Sequence, residues 1–231
     1  FSLLAQAQQQ VWYLNNQSVD FRSGLPLVTQ GLPGSPGASI YESRNGVHDQ
    51  NGDLLFYLDG AHIMNKQGNA IGNLLSFGFP HAELAIVAVP GASCKYYVIY
   101  QHTSKFTPPC PPLNGNRYNL AYTIVDMSLN NGQGGTITPS IQELDSCNYV
   151  TGSAIAVGKP KNNNTQYLYE VGLNSVAFDI LKYTISSTGI STPTTIYSSN
   201  YDPSFVRPAE MDLSYAEDKL VFTTGGNDIH I

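Results

Sequence analysis

Short hairpins headed by polar turns recur along this chain, and that recurrence narrows the fold more than any other feature. Asp49-Gln-Asn-Gly-Asp-Leu-Leu-Phe-Tyr sets an Asp/Asn turn before an apolar strand, and Leu213-Ser-Tyr-Ala-Glu-Asp-Lys-Leu-Val-Phe repeats the arrangement in degenerate form. A second turn follows each copy (Leu58-Asp-Gly, Thr224-Gly-Gly), and then another strand. Repetition of such units is how small antiparallel sheets are arrayed radially.

The rest of the chain supports an all-β reading. Val11-Trp-Tyr-Leu, Ala38-Ser-Ile-Tyr-Glu-Ser, Leu54-Leu-Phe-Tyr-Leu and His62-Ile-Met-Asn with Asn69-Ala-Ile read as four strands between Gly, Asn and Asp turns. A second group is Leu84-Ala-Ile-Val-Ala-Val, Tyr96-Tyr-Val-Ile-Tyr, Leu120-Ala-Tyr-Thr-Ile-Val-Asp and Gly135-Thr-Ile-Thr with Ile141. A third runs from Ser153-Ala-Ile-Ala-Val to Ser191-Thr-Pro-Thr-Thr-Ile-Tyr, and a fourth starts at Ala209-Glu-Met-Asp-Leu. The expected fold is a β-propeller of four-stranded antiparallel blades, WD40/YVTN-like, with blades over 11–75, 84–144, 153–198 and 209–231. The last of these is short of its strands, so a partial propeller within a longer natural chain is expected. The stretch Gly31-Leu-Pro-Gly-Ser-Pro-Gly reads as a surface loop.

Composition excludes several classes. Charged residues are 12% of the 231, against roughly 25% in an average soluble domain. With 17 acidic and 11 basic residues and no Lys/Arg run, nothing would release counterions from a phosphate backbone, so nucleic acid is not an expected partner. No apolar run reaches the roughly 18 residues of a membrane span. The opening Phe1-Ser-Leu-Leu-Ala-Gln-Ala-Gln ends in a small-x-small pattern at Ala5-Gln-Ala7. Residues 1–7 therefore read as the remnant of a signal peptide with cleavage before Gln8, and the remainder, 8–231, as the propeller region of a secreted or cell-surface protein.

Three cysteines are too few for a disulfide scaffold. With consecutive antiparallel strands near 95–103, 118–127 and 136–144, Cys110 and Cys147 fall at one end of a sheet and Cys94 at the other. A Cys110–Cys147 bridge is thus open to the chain, beside the alternative of three reduced thiols.

Several segments resemble a known family. Val11-Trp-Tyr-Leu-Asn-Asn followed by Val19-Asp-Phe-Arg-Ser-Gly, then Asn51-Gly-Asp-Leu-Leu-Phe-Tyr-Leu-Asp-Gly with Ile63-Met-Asn-Lys, then Tyr122-Thr-Ile-Val-Asp-Met-Ser-Leu-Asn-Asn-Gly, are similar to the N-terminal β-propeller of large secreted Bacteroidetes surface proteins. Those proteins often carry PKD-like repeats and a sorting domain for the type IX, gliding-associated, secretion system. The resemblance implies export by that route and a role in surface adhesion or assembly.

Candidate sites are few. Asp49, Asn51 and Asp53 alternate oxygen-bearing side chains as a calcium loop would, but the EF-hand spacing and its distal Glu are missing, and an Asx-type turn needs the same residues. His81 and Glu83, two apart, lack a third metal ligand placed by motif. Glycosidase and lyase propellers set carboxylates and aromatics at a central mouth. Tyr100, His102, Arg117, Tyr118 and Glu210 are the residues that would stand there, with Arg207 bordering another long loop. The competing explanation is that Tyr and Arg are ordinary on polar β surfaces. There is no nucleophile elbow, Walker loop or Rossmann fingerprint. Asn16-Gln-Ser18 and Asn163-Asn-Thr165 match the glycosylation pattern and read as surface loops in a bacterial protein.

The expectation is a non-enzymatic binding module, with loops 28–37, 104–117 and 198–208 presenting Tyr, Asn and Arg to a glycan or a protein. Two rivals stand beside it. A polysaccharide-active enzyme would need two carboxylates about 5–10 Å apart in a central pocket. A structural subunit would self-associate through unpaired strand edges.

Overall fold

The computed structural model describes residues 11–14, 17–20, 25–30, 46–74, 84–104, 117–137, 141–144, 150–173, 178–199, 211–223 and 229–230. They form an all-β structure of small antiparallel sheets, none closed on itself. The chain divides into two units, residues 1–74 with 127–135, and residues 75–126 with 136–231.

In the first unit β1 (Val11–Leu14), β2 (Gln17–Asp20) and β3 (Leu27–Gln30) make a three-stranded meander. Then β4 (Gly46–His48), β5 (Leu54–Asp59), β6 (His62–Asn65) and β7 (Ala70–Asn73) make a four-stranded one. Residues 11–75, read from the sequence as one unit, therefore hold two sheets. The strand read at Ala38–Ser43 lies outside the described residues. Phe56, Tyr57, Leu58, Ile63 and Leu74 are buried. A one-turn segment, α1 (Leu129–Gly132), carries Asn130 and Asn131 in the left-handed region. Asn tolerates that region better than most side chains do.

Among the described residues the second unit holds three sheets. In the first, β8 (Ala85–Ala88), β9 (Lys95–Ser104) and β10 (Arg117–Asp126) run antiparallel, and β11 (Gly135–Thr136) and β12 (Gln142–Glu143) both lie on β10. The β9–β10 ladder pairs from Lys95↔Asp126 to Ser104↔Arg117. The next sheet is β13 (Val150–Val157), β14 (Gln166–Leu173) and β15 (Phe178–Ser186), with β16 (Gly189–Ile190) and β17 (Thr194–Ser199) both on β15. The last is β18 (Met211–Leu213), β19 (Leu220–Thr223) and β20 (Ile229–His230).

Alternation along the β13–β17 sheet explains how the three sheets stack. Side chains two apart share a face. Ile155, Leu168, Leu181, Tyr183 and Ile185 point to one side and pack with Val87, Tyr97, Ile99, Leu120 and Tyr122 of the β8–β12 sheet. Ala154, Ala156, Val171, Phe178 and Ile180 point to the other and pack with Met211 and Phe222 of the β18–β20 sheet. The middle sheet is thus apolar on both faces, and each fully buried Leu, Ile or Phe contributes about 1.5–3 kcal/mol. Tyr97 and Tyr122 meet edge to face at 5.2 Å, and the Tyr97 hydroxyl donates to the Ser186 carbonyl at 3.0 Å, which fixes how the first two sheets are aligned along their strands. The opening strands also meet, since β13 touches both β8 and β18.

Four hairpins close through one turn design. The first residue's N–H donates to the carbonyl across the turn, and its carbonyl accepts from a residue three further on, for Asp49, Asn65, Lys161 and Ser214. That third-following residue is Gly52, Gly68, Asn164 or Glu217, each with φ between 56° and 83°. A type I turn followed by a left-handed residue joins strands with the required twist.

Candidate functional site

Four of the residues singled out in the sequence fall at one end of the β9–β10 ladder. Tyr100 and His102 lie on β9, where His102 pairs with Asn119, and Arg117 and Tyr118 open β10 opposite Ser104 and Thr103. Tyr100 is fully buried and His102 is 8% exposed, so both lie inside the structure. The His102 ring Nδ1 stands 3.5 Å from Glu143 Oε1 on β12. Burial lowers the His102 pKa, and the neighbouring Glu143 charge works against that shift without cancelling it. Arg207, Glu210, His81, Glu83, Cys110 and Cys147 lie outside the described residues. Cys94 is exposed and unbridged.

Asp49, Asn51 and Asp53 form the turn before β5. Asp49 Oδ1 accepts the Asn51 N–H at 2.8 Å and the Asp53 N–H at 2.9 Å. The Asp53 bond is the larger influence in holding the Asp49 carboxyl below its usual value. Asn65 does the same work before β7, accepting from Gln67 at 3.1 Å and Asn69 at 2.9 Å. The Asp49 carboxylate thus has the role an Asx turn gives it. Among the described residues no three His, Cys, Asp or Glu side chains converge as a metal site would require.

Buried carboxylates of the second unit sit in its core. Glu170 is fully buried and accepts from the Tyr183 hydroxyl at 2.6 Å, and Asp179 is almost as deep. Both point to the face that packs on the β8–β12 sheet, since they alternate with Val171 and Ile180.

Among the described residues, the densest polar constellation on the surface is one that no motif announced. It joins the β13–β14 turn to the β18–β19 turn. The Glu217 carboxylate accepts the Lys159 backbone N–H and pairs with the Lys161 ammonium. The Lys159 ammonium donates to the Tyr215 carbonyl at 2.8 Å and lies 3.3 Å above the Tyr215 ring. The Lys161 ammonium is 5.9 Å from the Tyr167 ring, and that of Lys182 on β15 is 3.6 Å from the same ring. Burial acts to raise the Glu217 pKa, but the hydrogen bonds from Lys161 and Lys159 outweigh it and hold the carboxyl below its usual value. The bond to Glu217 raises the pKa of Lys161 in turn. Gly158 completes the fit, because a Cβ there would come within 3.0 Å of Glu217 Oε2.

Glu217 stands in its turn where Gly52 stands in the turn before β5, but the second copy is one residue longer, so matching Leu54-Leu-Phe with Leu220-Val-Phe sets Asp218 there instead. A large side chain at a left-handed position costs about 1–2 kcal/mol, so it must be held by something. No protein-family model matches this sequence, and no curated protein is similar enough to carry a comparison.

Proposed function

We propose that the chain is part of a β-propeller serving as a non-enzymatic binding module on the outside of the cell. The observation that carries the reading is the stacking of three successive sheets through both faces of the middle one, with their opening strands in contact. Blades around a propeller axis pack in this way, whereas a two-layer sandwich leaves an outer face of each sheet in water.

The strand ends support the same architecture. In the second unit the β8–β9, β13–β14 and β18–β19 turns lie at the end where Tyr97 meets Ser186 and Lys161 meets Glu217. The ends of β9, β14 and β17 and the starts of β10, β13, β15 and β18 lie at the opposite end. Rigid sheets whose strand ends are sorted to two rims suit recognition by the loops they carry. The partner would be a glycan or a protein at the cell surface.

Two measurements test this. Protease added to intact cells that make the protein should cleave it without lysis, and the purified chain should retain a ligand on a mixed glycan and protein array without releasing new sugar ends. Full protection until lysis would overturn the external location. Release of reducing ends from a bound polysaccharide would replace the binding reading with an enzymatic one.

A further inference from the structure

We infer that the surface where the β13–β14 and β18–β19 turns meet binds an acidic polysaccharide, with Tyr215 as the stacking platform and Lys159 and Lys182 as the carboxylate-binding groups. The inference rests on the binding-module reading and names the ligand class of one face.

Charge placement is the first argument. The chain carries only 11 Lys and Arg among 231 residues and a net charge of −6. Three lysines nevertheless converge on the row Tyr215, Lys159, Glu217, Lys161, Tyr167, Lys182. Lys161 is paired with Glu217. Among the described residues neither Lys159 nor Lys182 makes an ion pair, and each holds its ammonium over a tyrosine ring instead. An ammonium held over a ring is fixed in position while keeping its charge.

Exposure is the second. Tyr215 is 90% exposed, so a large ring is held open to solvent at a turn. One side of it is taken by Lys159, leaving the other to a ligand. Aromatic rings with a polar edge suit ligands that are apolar on one face and wet at the rim, as the C–H face of a pyranose is. Asn162 and Asn163, exposed in the same turn, supply further hydrogen-bonding groups.

Chemistry separates a glycan from other polyanions. Protein interfaces favour Arg and are depleted in Lys, and this row has lysines and no arginine. Nucleic acid needs a run of phosphate contacts, which two lysines cannot supply. A uronate chain carries one carboxylate per sugar and matches both the exposed Tyr215 ring and the sparse positive charge.

Affinity electrophoresis of the purified chain through gels holding polygalacturonate, dextran or poly-glutamate tests this. Polygalacturonate should retard the wild type in a salt-sensitive way and dextran should not. Lys159→Gln with Lys182→Gln should weaken retardation at least tenfold, as should Tyr215→Ala, with circular dichroism showing that each variant is folded. Retardation that the lysine pair does not alter, or an equal response to poly-glutamate, would overturn the inference. A chain that ignores polygalacturonate yet retains another ligand on the array would sink only the inference, whereas retention of nothing on either would take the binding reading with it.

Discussion

Glu217 shows how much a single side chain can be asked to do here. Its backbone sits at φ 56°, and its carboxylate is held by a backbone N–H and an ammonium from the neighbouring sheet's turn. Hydrogen bonds to charged groups are worth about 1.5–3 kcal/mol, enough to offset the left-handed strain. Glu217→Ala should therefore lower the urea-unfolding free energy by about 1–3 kcal/mol. Gly158→Ala, whose added methyl meets the same carboxylate, should cost about 1–3 kcal/mol in the wild type and clearly less once Glu217 is gone. Additive losses in that cycle would show that the two positions are not coupled. Because the Glu217 pKa is lowered on folding, its contribution is complete above the unfolded carboxyl value near 4.3 and is lost as pH falls through the folded value. His102 has the opposite chemistry. Burial lowers its pKa, so below about pH 6.5 the unfolded chain binds the proton more readily than the folded one. Stability should fall from pH 7 toward 5, and Glu143→Gln, by removing the charge that favours protonated His102, should make the fall steeper. Urea titrations at pH 7.5 and 5.5 measure the difference, and a shallower fall in the variant would contradict it.

Among the elements, β17 bears on whether copies of the chain assemble edge to edge. Its residues Thr194–Tyr197 are exposed, with Ile196 and Tyr197 about half open, and a neutral edge of this kind invites pairing. Two features blunt it. Ile180 pairs with Tyr197 and Leu181 with Thr195, so Ile196 is an extra residue at a bulge. Pro193 then separates β17 from β16. Ile196→Lys should accordingly leave stability within about 0.5 kcal/mol and leave the sedimentation coefficient unchanged. A concentration-dependent mass that this substitution lowers would favour the structural-polymer reading instead. The hairpins themselves were legible in the sequence because turn chemistry is local. Asp49 and Asn65 bond their own turns, and alternation with Tyr, Val and Ile content marked β9 and β10. The division of residues 11–75 into two sheets was not legible, since β4 has only three residues, too few for alternation to show. The lysine and tyrosine row was hidden for another reason. Its members lie on two turns and two strands, and only packing between sheets brings Lys161 to Glu217 across 56 positions.

For the molecule as a whole, the middle sheet's position has a consequence for cooperativity within the second unit. Leu181 belongs to the core shared with the β8–β12 sheet, and Phe222 to the core shared with the β18–β20 sheet. Between them stands β15, whose alternate residues Ile180 and Leu181 serve the two cores in turn. A strand cannot lose its ladder on one face and keep it on the other, because the same backbone bonds hold both rows of side chains. Repeat arrays often soften this coupling, each repeat unfolding with its own stability and its interface terms. Here the interface terms fall on a single sheet's two sides, so disturbing either core should loosen all three sheets. Leu181→Ala should cost about 2–5 kcal/mol and Phe222→Ala about 3–5 kcal/mol. Hydrogen exchange read by mass spectrometry, in peptides spanning β9, β14 and β19, distinguishes the alternatives. Each substitution should speed exchange in all three peptides by a common factor, as one cooperative unit requires. If Leu181→Ala speeds β9 and β14 while β19 keeps its protection, the sheets unfold as separate repeats and the middle sheet is a neighbour rather than a keystone.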